Sequence, residues 1–64
     1  MPEQGKREIL FEFTAVGSVV KVSAIDAVTG VEVSVMGPAG AAQSDMQKLA
    51  ASKLLTKLGV RPQR

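Results

Sequence analysis

Three stretches of the chain alternate apolar and other side chains at every second residue, and only short glycine-containing segments separate them. Alternation with a period of two is typical of half-buried β-strands, and the frequent β-branched residues, chiefly valines, suit a pleated surface. Continuous apolar runs of helical period are absent from this part of the chain. We therefore predict three strands, at about 8–16, 19–26 and 31–36.

The two connecting segments fix how these strands pair. Gly17-Ser18 fits a two-residue hairpin loop, in which glycine supplies a positive φ, and the loop at 27–30 ends in a glycine. Closing both turns pairs Phe13 with Val22 and Val22 with Val35, so the apolar sets of all three strands share one face. A slip of one residue would destroy this match. The sequence thus predicts an antiparallel meander, with Asp26 bonding forward to the amides of the second turn.

A helix is predicted over about 45–58. Ser44 and Gln47 have the spacing of a capping box, Gly59 suits the position after the last turn, and Pro62 prevents continuation. One half of the helical wheel holds the apolar residues, namely Met46, Ala50, Ala51, Leu54, Leu55 and Leu58. Packing this half on the sheet is expected to cover the face that carries Phe11 and Phe13. The predicted fold is α+β, with the order βββα, in a single domain at 8–59 between flexible tails at 1–7 and 60–64.

Composition excludes most catalytic and metal chemistry. The chain has no Cys, His, Trp or Tyr, which removes thiolate and imidazole ligands and the usual bases of nucleophilic catalysis. Glu12 and Glu32 share a sheet face, but two strand spacings put their backbones roughly 12 Å apart. We expect no enzymatic activity, no cofactor and no metal. The polar N-terminus and the lack of a membrane-length apolar run make the cytoplasm the default location.

A core this small favours self-association, because burial only just offsets conformational entropy in chains of this length. The outer face of the sheet, with one exposed leucine of the helix, offers the candidate interface. Its members are Leu10, Val16, Val19, Ile25, Met36 and Leu49. The alternative is that these are the scattered apolar residues that antiparallel sheets often expose to water.

The second half of the chain is basic. Residues 37–64 carry five basic side chains and one acid, whereas residues 1–36 carry three basic side chains and five acids. Candidate contacts to an anionic partner are Lys48, Lys53, Lys57, Arg61 and Arg64. Nucleic-acid binding through phosphates would use this surface, but ordinary solvated lysines are the preferred explanation, and both phenylalanines are expected to face inward. The loop Gly37–Ser44 enters a helix N-terminus and is read as an anion site or, more simply, as a connector.

One part of the sequence resembles a known family. The run from Ala24 to Ser34, Ala-Ile-Asp-Ala-Val-Thr-Gly-Val-Glu-Val-Ser, and the following Gly37-Pro-Ala39 are similar to short uncharacterised proteins, chiefly alphaproteobacterial. The resemblance covers about residues 8–58 and implies no reaction, cofactor or site. The sequence therefore predicts a small non-enzymatic, self-associating interaction module that binds itself or another protein and no membrane. The alternative is a nucleic-acid-binding accessory protein.

Overall fold

A computed structural model describes residues 8–60 of the chain. It has three strands and one helix: β1 at Ile9–Val16, β2 at Val19–Asp26, β3 at Glu32–Pro38 and α1 at Gln43–Leu58. The sheet order is β1-β2-β3 with both pairs antiparallel. The predicted α+β fold with the order βββα is confirmed. The predicted tails at 1–7 and 60–64 lie outside the described residues, apart from Val60.

The strand register agrees with the prediction from the turns. Phe13 lies opposite Val22, and Val22 lies opposite Val35. Gly17 has φ 60° and is the one loop residue of this hairpin with a positive φ, which is the pattern of a type II′ turn. Register therefore follows from loop length combined with side-chain alternation.

The second turn is organised by Asp26, whose side chain is fully buried. Its Oδ2 accepts hydrogen bonds from the Thr29 amide at 2.9 Å and from the Thr29 hydroxyl at 2.7 Å. The Asp26 carbonyl accepts from the Gly30 amide at 2.8 Å, and the Asp26 amide donates to Val31 at 2.9 Å. The bond from the Asp26 side chain forward to Thr29 is as predicted. The amide of Gly30, a residue with φ 79°, is bonded to the Asp26 carbonyl rather than to the side chain.

Two predicted boundaries were wrong. Strand β3 continues through Gly37 and Pro38, which were read as part of a connector. Helix α1 begins two residues early, with Ala42 as its N-cap and no side-chain capping bond, so the Ser44–Gln47 capping box does not form. Ser44 lies inside the first turn, where its hydroxyl cannot act as a cap. The C-terminal prediction is confirmed, since Gly59 adopts φ 82° and Val60 donates to the Leu55 carbonyl at 2.9 Å.

The core lies between α1 and the last two strands. Its buried apolar side chains are Val22, Ala24, Val33, Met46, Ala50 and Leu54. The helix makes its contacts with β2 and β3 in equal measure, whereas β1 is joined to the rest mainly through its pairing with β2. The expectation that the helix covers the whole apolar face was therefore only partly met on β1, where Ile9 and Phe11 pack against the core but Phe13 is 38% exposed.

Candidate interaction surface

The helix leaves the inner face of β1 partly uncovered. Phe13 and Val22 are cross-strand neighbours, yet Phe13 is 38% exposed and Val22 is completely buried. Phe11, two residues closer to the start of the strand, is half-buried and packs against the core, and Ala15 is exposed. An apolar side-chain row therefore lies beside the core without being part of it.

A close fit on the opposite side accounts for the position of the helix. A Cβ atom added to Gly37 in β3 would lie 2.9 Å from the Met46 Sδ and 3.0 Å from its Cε. Because only glycine leaves this space, Met46 packs directly on the β3 backbone. On the same side, the Lys53 Nζ donates to the Ser34 carbonyl at 3.1 Å. Both contacts draw α1 towards β3 and away from β1.

The two edges of the sheet differ in their protection. At the two ends of β3, Val31 accepts a hydrogen bond from the amide of Asp26, and Ala39 donates one to the carbonyl of Ser18 in the hairpin loop. Since backbone groups alternate between the two sides of a strand, the odd-numbered residues of β3 face β2 and the even-numbered residues face the open edge. Ser34 is one of these, and its carbonyl is occupied by Lys53. Pro38 is another, and it has no amide hydrogen to present. Lysine and proline are the residues with which natural sheets blunt an edge.

The edge of β1 has no such protection. The Ala27 amide donates to the Glu8 carbonyl at 3.1 Å, so even-numbered residues face β2 and odd-numbered residues turn their backbone groups outward. Within residues 8–60, no other segment lies along this edge. The outward groups belong to Ile9, Phe11, Phe13 and Ala15, and we call this edge, together with these four side chains, the β1 surface.

A groove joins the β1 surface to the helix. It has a volume of about 310 Å³ and is lined by Phe11, Ser44, Gln47, Lys48 and Ala51. The lining thus combines one aromatic ring with polar side chains and one lysine. The expectation that both aromatic rings are sealed inside was therefore wrong, because Phe11 lines this groove and Phe13 lies partly in solvent.

The predicted outer-face interface is divided in two by the structure. Leu10 and Ile25 lie opposite each other at one end of the sheet, and Val16 and Val19 do so at the other. Between these pairs runs a polar row in which the hydroxyls of Ser23 and Ser34 are hydrogen-bonded at 3.1 Å. Met36 extends the second group and is exposed, whereas Leu49 is exposed on the helix, away from the sheet's outer face.

The predicted basic contacts are dispersed. Lys48, Lys53 and Lys57 are all exposed, but Lys53 is bonded to the edge of β3 and Lys48 borders the groove beside β1. Arg61 and Arg64 lie outside the described residues. Among residues 8–60 there is no group of three acidic side chains that could hold a metal ion, nor a helix long and apolar enough to span a membrane.

The fold and the surface together define a small α+β domain in which one helix covers two strands of an open three-stranded sheet and leaves the third partly exposed. The chain belongs to a family that is described as a domain of unknown function, DUF6898, whose model matches residues 6–61. No curated protein and no solved structure matches it.

Sequence reasoning missed the β1 surface for an identifiable reason. The alternation placed Phe11 and Phe13 on the core side, which is correct, but their exposure depends on where the helix lies across the sheet. One signal was present in the sequence: Gly37 gives β3 a position without a side chain, on which a helix can pack closely.

Proposed function

We propose that this domain is a non-enzymatic protein-interaction module that binds its partner through the β1 surface. The observation that carries the proposal is the contrast within one cross-strand row, where Val22 is completely buried and Phe13 is 38% exposed. A partly exposed aromatic beside an open strand edge combines an apolar anchor with backbone hydrogen-bonding groups. These are the elements by which extended segments add to a sheet.

The energetics of a short chain support the same proposal. Among residues 8–60, six buried apolar side chains form the core, and chains of this size usually need a further source of stability. Covering Phe11 and Phe13 with a partner would bury apolar surface that the helix leaves in water, at about 25 cal/mol for each Å² removed from solvent. Binding would thus add to folding stability rather than compete with it.

Photo-cross-linking in the cell tests the proposal. A photoreactive residue is placed at Phe13, and a matched control carries it at Val28, which is apolar and 81% exposed but lies in the second turn. We expect a discrete protein adduct from position 13 and none from position 28. Equal adducts from the two positions, or no protein adduct from position 13, would contradict the proposal.

Nucleic-acid binding through the basic residues is the weaker alternative. Its support is the net charge of the chain and the presence of Lys48 and Phe11 in the lining of the same groove. It predicts binding to duplex DNA or RNA with a log–log salt slope of about −3 to −5, reduced by about 1 in Lys57→Ala. Lack of binding at low salt eliminates it.

The proposal also covers the organisms in which this family occurs and the location of the protein in the cell. The family resemblance supports a bacterial, chiefly alphaproteobacterial, distribution, and the composition of the chain supports a cytoplasmic location. Cell fractionation of the tagged protein, followed by immunodetection, tests the location.

A further inference from the structure

We infer that the occupant of the β1 surface is a second copy of this chain, paired β1 to β1 in an antiparallel six-stranded sheet. This inference rests on the proposed interaction function and specifies its partner. A two-fold axis perpendicular to the sheet keeps both helices on the same face, and such isologous pairing uses the same patch of both copies. The pairing extends the sheet at the one edge that lacks lysine and proline protection.

Hydrogen bonding restricts the register. The outward backbone groups of β1 belong to its odd-numbered residues, so odd residues must lie opposite odd residues of the second copy. This condition also places the inner-face side chains of one copy beside the inner-face side chains of the other. The remaining registers differ in steps of two residues, and their side-chain pairs distinguish them.

One register suits the side chains in the middle of β1. With Phe13 opposite its own copy, Phe11 lies opposite Ala15 of the second copy, and Glu12 lies opposite Thr14. The two Phe13 rings then meet at the axis, where aromatic pairs stabilise each other. A large side chain faces a small one on each side of them. The charge of Glu12, the single ionisable side chain of β1, faces a neutral hydroxyl.

The neighbouring registers are worse. Shifting by two residues in one direction puts Glu12 directly opposite its own copy, and like charges in that position are destabilising. Shifting by two residues in the other direction puts Glu12 opposite Val16 of the second copy, and it puts Phe11 opposite Gly17, which has no side chain to pair with. In the favoured register Leu10 faces Val16 on the outer face, so two of the residues predicted as an interface from the sequence would also be joined.

A pair of matched charge variants tests the inference on purified full-length protein. Thr14 and Met36 both lie opposite Lys21 on the outer face, one on each edge of the sheet. Thr14→Glu and Met36→Glu therefore gain the same intramolecular neighbour and the same charge. In the dimer, however, Thr14→Glu faces Glu12 of the second copy, once in each half of the interface.

We expect the wild type to sediment as a dimer at about 100 µM, within the range of small, weak interfaces. Thr14→Glu should raise the dimer dissociation constant about tenfold, from two like-charge pairs, and Met36→Glu should leave it unchanged. Adding Glu12→Lys to Thr14→Glu should restore dimerisation, because each repulsive pair becomes attractive. Circular dichroism of each variant verifies that the monomer is folded.

Each contrary result has a definite meaning. A wild type that stays monomeric at this concentration and unfolds cooperatively overturns the inference. A larger effect from Met36→Glu than from Thr14→Glu overturns the choice of edge, and failure of the double variant to recover overturns the register. If position 13 cross-links in the cell to a different protein alone, the proposed function stands and the second copy as occupant is rejected.

Discussion

Replacing Asp26 with alanine should destabilise the domain more than any other change in its turns. The carboxylate is fully buried and accepts two hydrogen bonds from Thr29, from the amide and from the hydroxyl. Hydrogen bonds to charged groups contribute about 1.5–3 kcal/mol each. Thr29 itself is exposed, so its freed donors can turn to water, and the expected loss is near the lower end, about 3 kcal/mol for the pair.

That loss is large for this chain. A domain of 64 residues has a free energy of unfolding of about 3–10 kcal/mol, so Asp26→Ala should leave it marginally folded at room temperature. Urea unfolding followed by far-ultraviolet circular dichroism is the appropriate assay, because the chain has no Trp or Tyr to serve as a fluorescent probe. Low protein concentration keeps self-association out of the measurement.

Two substitutions at Thr29 divide the effect. Thr29→Val removes the hydroxyl bond to Asp26 and the bond that this hydroxyl accepts from the Val31 amide at 3.2 Å, and it keeps the amide bond to Asp26, so it should cost about 2 kcal/mol. Thr29→Ser retains both donors and should cost less than about 0.5 kcal/mol. The free energy of unfolding of Asp26→Ala could instead lie within about 0.5 kcal/mol of the wild-type value, which is the range of ordinary surface substitutions. In that case the carboxylate does not organise the turn.

Two other predictions concern the buried side of the helix and its packing on β3. Leu54→Ala should lower the free energy of unfolding by about 2–5 kcal/mol, because Leu54 is completely buried and its truncation leaves a cavity. The control Leu49→Ala, on the exposed side of the helix, should lower it by less than about 0.5 kcal/mol. Equal losses in urea unfolding would contradict the observed packing. Gly37→Ala should cost about 1 kcal/mol, because the added Cβ crowds only the flexible end of the Met46 side chain. Gly40→Ala should be neutral or stabilise the domain by about 0.4–1 kcal/mol, because nothing lies within 4 Å of the added Cβ and the φ of Gly40 is not positive. If thermal unfolding shows Gly40→Ala to be less stable than Gly37→Ala, Gly37 is not a close-approach site.

Local signals predicted the helix ends unequally. Gly59 was correctly placed because a left-handed residue at a helix end is a strong steric requirement that glycine meets without strain. Ser44 was wrongly chosen as the cap, since a capping bond contributes only about 1 kcal/mol. Here the chain packs Ala41 against the core and starts the helix directly after it. Tertiary packing outweighed the local preference.

The end of β3 shows a similar limit. A Gly-Pro pair normally interrupts a strand, and on that basis the strand was expected to stop at residue 36. Pro38 occurs at a position whose backbone faces the open edge, so its missing amide hydrogen removes no bond to β2. Only the parity of the observed ladder reveals this, because the same proline one residue earlier would have broken the pairing with Val20.

The sequence by itself determined the strand pairing, the register and the sets of side chains that share a face. Loop length and period-two alternation are local quantities, and together they allow one arrangement of three strands. Helical periodicity likewise identified which half of α1 is apolar. It carries no information about which strands that half covers, because every strand offers an apolar row at the same spacing.

The tertiary structure decided the lateral position of the helix. The space left at Gly37 for Met46 and the bond from Lys53 to Ser34 place α1 over β2 and β3. Each of these contacts joins residues that are 9 to 19 positions apart in the sequence, so no local pattern encodes them. The exposure of Phe13, and with it the surface proposed for binding, follows from this placement.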